Sequence, residues 1–157
     1  MEAKIEMASE PIVKEIFIEA APAVVFEHLT DPVKINRWMG IGAYTDPRPG
    51  GIYSVNVNGL DVARGDFVEV DEFRIVFTWG WWQKGLSVPA GSTRVEFDLL
   101  PEDKGTRARM THRELPADVR EIQDPWWTHY LGRLKTACEG TLPGPDAMAH
   151  PSVSAHT

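Results

Sequence analysis

One cysteine, Cys138, is all the chain carries. That excludes an internal disulfide and any zinc cage built from thiolates, and such usage fits a reducing cytoplasm. Long apolar runs are missing as well. No stretch approaches the ~20 residues a membrane-spanning helix needs, and the opening MEAKIEMASEPIVKE carries charges throughout, with no apolar segment of signal-peptide length. Positive charge is scarce: 16 Lys and Arg stand against 23 Asp and Glu, a net charge of −7. A nucleic-acid binder would show a basic footprint, and an anionic lipid surface is a poor match for the same reason. There is no phosphate-binding glycine loop, no His-Glu-x-x-His and no nucleophile elbow. The five histidines are scattered, with His150 and His156 near the end, so they do not suggest a metal site. No cofactor, no metal and no catalytic constellation are expected.

Aromatic residues, by contrast, are concentrated. Thr78 to Lys84 reads TWGWWQK, with three indoles in four residues. Tryptophan is large, and its N–H wants a partner when buried. Such a cluster is either core filler, the wall of a ligand pocket or a docking face.

At 157 residues the chain is long enough for one domain with its own core. Residues 1–10 read as a flexible leader, 11–140 as the folded domain, and 141–157 as an irregular tail rich in Pro, Ala and Ser. IVKEIFI, Ile12 to Ile18, is a short β-branched run that suits a strand. Pro22 is placed to start a helix, in which Val25 and Leu29 lie one turn apart, with Phe26 beside Leu29. Pro32 interrupts it, and VKINRWM makes a second short helix ending at Gly40 and Gly42. His28 and Glu27 fall on the solvent side of the first helix.

The period then changes to two. In GIYSVNVN, Tyr53, Val55 and Val57 share the inward face, with Asn56 outward, and Asn58-Gly59 signals a hairpin. Leu60 to Val70 continues as a long strand with a bulge expected at Gly65. From Phe73 to Trp82, Ile75, Phe77, Trp79 and Trp81 face one way, and Arg74, Val76, Thr78 and Trp82 the other. Val95, Phe97 and Leu99 point inward in the next strand, with Arg94, Glu96 and Asp98 outward. Ala108, Met110 and His112 share the inner face of the last, with Arg107, Arg109 and Arg113 opposite. The outer faces therefore pair acids with arginines. Arg48-Pro49-Gly50-Gly51 reads as a turn anchored by its arginine. DPWWTHYLGRLKTACEG predicts a helix capped by Asp124, with Pro125 at its first position and Gly140 after its end. Trp127, Leu131, Leu134 and Cys138 recur on its inward stripe, with Tyr130 beside them and His129 toward solvent. Cys138 reads as a small buried hydrophobe.

This order of elements predicts an α+β protein in which a curved antiparallel sheet wraps around the long C-terminal helix, leaving a groove floored by the two short helices. The stretches VFEHLTDPVKINRWM, DPRPGGIY, ARGDFVEV, FRIVFTW, EDKGTRARMTH and WWTHYLGRL, in that order between about Ile12 and Gly140, resemble the activator-of-heat-shock-chaperone-ATPase homologues. These belong to the START-like (SRPBCC, Bet v-like) superfamily. The resemblance implies a helix-grip fold with a cavity under the last helix. The family often has Gly-Trp where this chain carries Trp126-Trp127, which alters the pocket near the helix start.

The expected function is a binding module in the cytoplasm, holding a small hydrophobic or aromatic ligand. Phe77, Trp79, Trp81, Met110, Trp127 and Tyr130 would supply apolar contacts, His112 and Tyr53 hydrogen bonds, and Trp38 a plug for the core or for the cavity mouth. Two other classes compete. A polyketide cyclase- or aromatase-like enzyme would use His112 or Tyr53 to move protons. A co-chaperone-like modulator of a heat-shock chaperone ATPase, with a role in stress response, would use Trp82 and the outer arginines. A chaperone is thus a second expected partner, and the chain is expected to be a monomer or a homodimer.

Overall fold

The computed structural model describes residues 10–82 and 88–146. The leader up to residue 9, the loop 83–87 and the end of the tail from residue 147 lie outside the described residues. The elements run β1 (Ile12–Ile18), α1 (Pro22–Thr30), α2 (Pro32–Trp38), β2 (Gly42–Thr45), β3 (Ile52–Asn56), β4 (Val62–Asp71), β5 (Arg74–Trp79), β6 (Thr93–Glu102), β7 (Gly105–Arg113) and α3 (Ala117–Cys138). Among the described residues seven strands form one antiparallel sheet in the order β1-β7-β6-β5-β4-β3-β2. The fold is the expected helix grip. No helix among the described residues is long and apolar enough to cross a membrane.

The period-two segments put their inward side chains where alternation placed them. Tyr53, Val55, Val57, Ile75, Phe77, Trp79, Val95, Phe97, Leu99, Ala108, Met110 and His112 are all buried. The outer face carries the expected ion pairs. Glu96 receives Arg113 Nε at 2.9 Å and Arg94 Nε at 3.0 Å, and Arg74 adds a contact at 3.6 Å. Arg74 also pairs with Asp98 at 2.7 Å. Burial pushes the Glu96 carboxyl up, but the hydrogen bonds from Arg113 and Arg94 outweigh it and leave the group below the usual carboxylate range. Val76, assigned to the outward set, is nonetheless fully buried, opposite Glu96 in the ladder.

Three details differ from the sequence expectation. The last helix begins at Ala117, so Pro125 lies inside it and Asp124 is not its cap. Pro125 costs one backbone hydrogen bond. The extra turns before it are held from outside: Arg120 Nε donates to the Glu10 carbonyl at 2.7 Å, and Lys14 Nζ reaches Asp124 at 2.8 Å. Strand β2 has four residues, too few for alternation to register. The bulge of β4 falls between Phe67 and Glu69, not at Gly65. Gly65 is a point of close approach instead, since a Cβ there would stand 1.8 Å from the Thr78 carbonyl oxygen of β5.

That contact is with backbone, which cannot swing aside. Gly65→Ala should therefore destabilise the fold by about 1–3 kcal/mol, as overpacking does; denaturant unfolding measures it, and an unchanged midpoint would contradict the close approach. The Glu96 group gives a pH test. Its folded pKa is depressed, so its stabilisation is present above the unfolded carboxylate value and is lost as pH falls through the folded one. The melting-temperature gap between the protein and Glu96→Gln should close on acidification and persist at neutral pH.

Candidate functional site

His112 is wholly buried where β7 faces α3. Trp127 Nε1 lies 2.9 Å from His112 Nδ1, and Thr93 Oγ1 lies 2.9 Å from Nε2. An indole N–H can only donate, so Nδ1 accepts and the ring proton sits on Nε2. That proton goes to Thr93 Oγ1, which passes its own to the Trp79 carbonyl at 2.7 Å. The relay Trp127→His112→Thr93→Trp79 thus runs in one direction from helix to sheet, with both ring nitrogens of His112 engaged. A second ring proton would face the Trp127 N–H. Burial pushes the His112 pKa down to about 3, which keeps the imidazole neutral.

Indoles surround this relay. Trp79 stands edge-on to His112 at 5.2 Å and to Trp81 at 4.9 Å. From α3, Trp126 meets Trp79 at 6.0 Å, Trp127 at 5.2 Å and Tyr130 at 4.5 Å. Trp81 and Trp126 are only partly buried, whereas Trp79, Trp127 and Tyr130 are closed off from solvent. Beside this cluster, Tyr53 stacks on Phe77 with centroids 4.0 Å apart and meets Phe67 edge-on at 5.7 Å. Phe77 and Trp79 share the inward face of β5, so the two groups line one surface. The Tyr53 ring is buried, and burial raises the pKa of its hydroxyl and holds it protonated. Met110 is fully buried on β7. Gln123, one helical turn before Trp127, buries an amide nitrogen that has no partner among the described residues.

The segment after α3 returns along it. Arg133 Nη1 donates to the Gly144 carbonyl at 2.9 Å, and Arg133 Nε to the Trp38 carbonyl at 2.9 Å. The Asp146 carboxylate accepts from the Tyr130 hydroxyl at 2.5 Å and meets His129 Nε2 at 2.7 Å. Asp146 therefore covers the polar tip of Tyr130. Trp38 is buried, its indole donating to the His28 carbonyl at 2.7 Å, which ties α2 to α1.

Of the residues singled out in the sequence, Trp79, Trp81, His112, Trp127 and Tyr130 come together, Tyr53 and Phe77 adjoin them, and Trp38 stands apart at the end of α2. Two histidines are placed differently from expectation. His28 is not on the solvent side: Val25, His28 and Leu29 form the buried stripe of α1, at the i, i+3, i+4 spacing of one helix face. Its Nδ1 donates to the Val24 carbonyl, and Nε2 is buried without a partner among the described residues. His129 is partly covered through Asp146 rather than free in solvent. Trp82 is 58% exposed, with the Arg64 guanidinium 4.3 Å over its ring; the loop 83–87 beside it is outside the described residues. Cys138 is buried and its thiol is pushed up to about 12, as an inert small hydrophobe. Thr93 and Asp146 belong to the site but were not singled out, and Trp126 was marked only as the departure from Gly-Trp that alters the pocket. Trp126 is adjacent to Trp127 and so lies off its stripe. Thr93 opens a strand whose reading centred on Val95, and Asp146 lies beyond the helix. Among the described residues no group of His, Cys, Asp and Glu could hold a metal ion.

A curved antiparallel sheet closed by a long C-terminal helix, with an aromatic surface between them, defines a helix-grip protein of the START-like superfamily. Within it, the chain belongs to the activator of Hsp90 ATPase homolog 1-like (AHSA1-like) family, whose model matches residues 19–139. The AHSA1-like protein of Rhizobium etli is 43% identical, with a TM-score of 0.69 over 90% of this chain and 89% of that one. CalU16 from Micromonospora echinospora is 26% identical, with a TM-score of 0.71 over 90% of this chain and 74% of that one. DynU16, a protein of the dynemicin biosynthetic locus, shares the fold at 18% identity, with a TM-score of 0.72 over 84% of this chain and 48% of that one. No curated protein matches the chain.

With a folded pKa of about 3 against about 6.5 unfolded, His112 stabilises the fold fully above pH 6.5, and the contribution falls as pH drops toward 3. In an NMR titration the His112 ring should keep its Nε2–H tautomer, with no charge transition between pH 8 and 4. Titration near pH 6 would contradict the relay. Thr93→Val leaves the His112 Nε2–H buried without an acceptor and should cost about 1–3 kcal/mol of stability.

Proposed function

We propose that this protein is a cytoplasmic binding module that holds a small hydrophobic or aromatic ligand between the inward face of the sheet and α3. One observation carries the reading: an aromatic surface between sheet and helix in which Trp81 and Trp126 remain partly open. A core built only for stability would close its indoles. In this reading Trp79, Trp81, Trp127, Tyr130, Phe77 and Met110 form the walls, and Tyr53 contributes a hydrogen-bonding group. His112 positions Trp127 and Trp79 through its relay, since neither of its nitrogens is available to a ligand. That engagement also weighs against a cyclase-like role in which His112 moves protons. Trp38 braces the far end through His28 and Arg133.

A second reading rests on a different face. Trp82, exposed and stacked beneath Arg64, presents the residue types that dominate protein interfaces. Together with the family's description, this supports a protein partner such as a heat-shock chaperone. Loss of binding to a purified chaperone in Trp82→Ser, with the fold intact, would support it; an ATPase rate indifferent to the protein would remove it.

The binding reading is tested by intrinsic fluorescence. A panel of neutral aromatic compounds should include members that quench tryptophan emission at micromolar concentration. Trp81→Ala should weaken binding about tenfold, in line with the loss of ~1.5 kcal/mol of aromatic contact. If no compound in a broad metabolite panel binds, the reading is wrong.

A further inference from the structure

We infer that an apolar groove at the opposite end of β4 from Trp82 is a docking site for a basic segment of another protein, one whose apolar anchors are flanked by lysine or arginine.

The groove opens between the start of α1 and the turns of the sheet. Ala21, Pro22 and Phe26 form one wall, Glu72 and Phe73 of the β4–β5 turn form the other, and Pro101 of β6 closes it, around a hollow of about 430 Å³. That admits a few side chains and not a folded domain. Trp82 bonds to the carbonyl of Val62, the first residue of β4, whereas the groove begins just past Asp71, its last. No residue of the aromatic cluster lines it, so it stands apart from both readings above.

The aromatic wall is displayed rather than packed. The Phe73 backbone is pinned on both sides: its N–H donates to Asp71 Oδ1 at 3.0 Å, and its carbonyl accepts from the Leu99 N–H at 2.9 Å. The ring is nonetheless 43% exposed and lies outside the core. Turns ordinarily carry polar residues, so a phenyl ring fixed in solvent here calls for a partner. Pro22 and Pro101 have no N–H, and a partner therefore cannot add a strand at these points; it docks by its side chains. The same two rings leave little backbone freedom to lose on binding.

The rim decides the chemistry of that partner. Glu19, Asp71, Glu72 and Asp103 are exposed around the groove, and among the described residues none of them forms an ion pair. Glu19 is brought beside the β6–β7 turn by the Thr106 hydroxyl, which donates to the Ala20 carbonyl at 2.8 Å. Of the nearby cations, Arg107 is held by Glu102 at 2.7 Å and Lys135 by Glu139 at 2.6 Å, which leaves Lys104 against the four carboxylates. The start of α1 has the opposite, half-positive character, but its first residue is Pro22, with no N–H to offer an anion. A second copy of the chain does not fit. Its net charge is −7, and its outer arginines are already taken up by Glu96, Asp98, Glu15 and Glu102. Two copies meeting here would set acid against acid, and an anionic lipid surface is repelled in the same way.

Short fluorescein-labelled peptides test this, with leucine and phenylalanine anchors at varied spacing among lysines and arginines. Two control sets keep the anchors among glutamates, or keep the basic residues and replace the anchors by serine. Anisotropy is read on the full chain, on Phe73→Ser, on Glu72→Lys and on Trp82→Ser. The substituted side chains are exposed, and melting curves check that each variant is folded. Members of the basic anchored set should bind at micromolar concentration, at least tenfold more tightly than either control, and more weakly as salt is added. Glu72→Lys should weaken them about tenfold and Phe73→Ser about fivefold, with Trp82→Ser unchanged. Equal binding of the anchorless peptides reduces the effect to charge attraction and overturns the inference. Glu72→Lys without effect, or a basic anchored set in which nothing binds, overturns it as well. So does a dimer of the free chain that Phe73→Ser dissociates, since the groove then belongs to a second copy. None of these outcomes bears on the ligand-binding reading.

Discussion

The contact on which the rest of the molecule depends is the one between Trp127 and His112. It is a side-chain hydrogen bond that joins the long helix to the middle of the sheet, and it is directional because indole can only donate. It fixes the tautomer of His112, which fixes the role of Thr93, which ties back to the backbone of Trp79. Two large rings on opposite layers are thereby held at set orientations. In a core of aliphatic side chains the helix could slide by fractions of a turn at small cost. Here a slide would leave a buried N–H and a buried imidazole nitrogen unsatisfied.

Around that anchor the structure distributes its polar groups by face. The convex surface carries the ionised residues, paired across β5, β6 and β7. The concave surface carries neutral ones. This separation is what gives the inner face a chemical character, and membership of the AHSA1-like family does not by itself supply it. The fold is common to proteins that share less than a fifth of their residues with this chain, as the likeness to DynU16 shows.

Much of the architecture could be read from the amino acids. Alternation in β3, β5, β6 and β7 was strong enough to place each inward residue, and Pro22 and Pro32 marked the two short helices. What escaped did so for physical reasons. Pro125 looked like a helix start because proline favours that position, yet Lys14 and Arg120 hold the earlier turns from other parts of the chain, and such distant contacts leave no local trace. His28 looked exposed because it is polar, although its spacing from Val25 and Leu29 already placed it on the buried stripe. Asp146 could not be found from a helical or strand period, since it belongs to neither. Composition brought Trp79, Trp81 and Trp127 to attention. The part played by Trp126 depends on the angle between neighbouring helix positions and emerged only in three dimensions.

The spacing of the indoles has one more consequence. Trp79 lies 4.9 Å from Trp81 and 6.0 Å from Trp126, and Trp126 lies 5.2 Å from Trp127. At such separations light absorbed by one ring migrates to the others before it is emitted. Energy taken up by the sealed Trp79 and Trp127 drains to whichever ring has the most polar surroundings, so the interior gathers light that the partly open Trp81 and Trp126 emit.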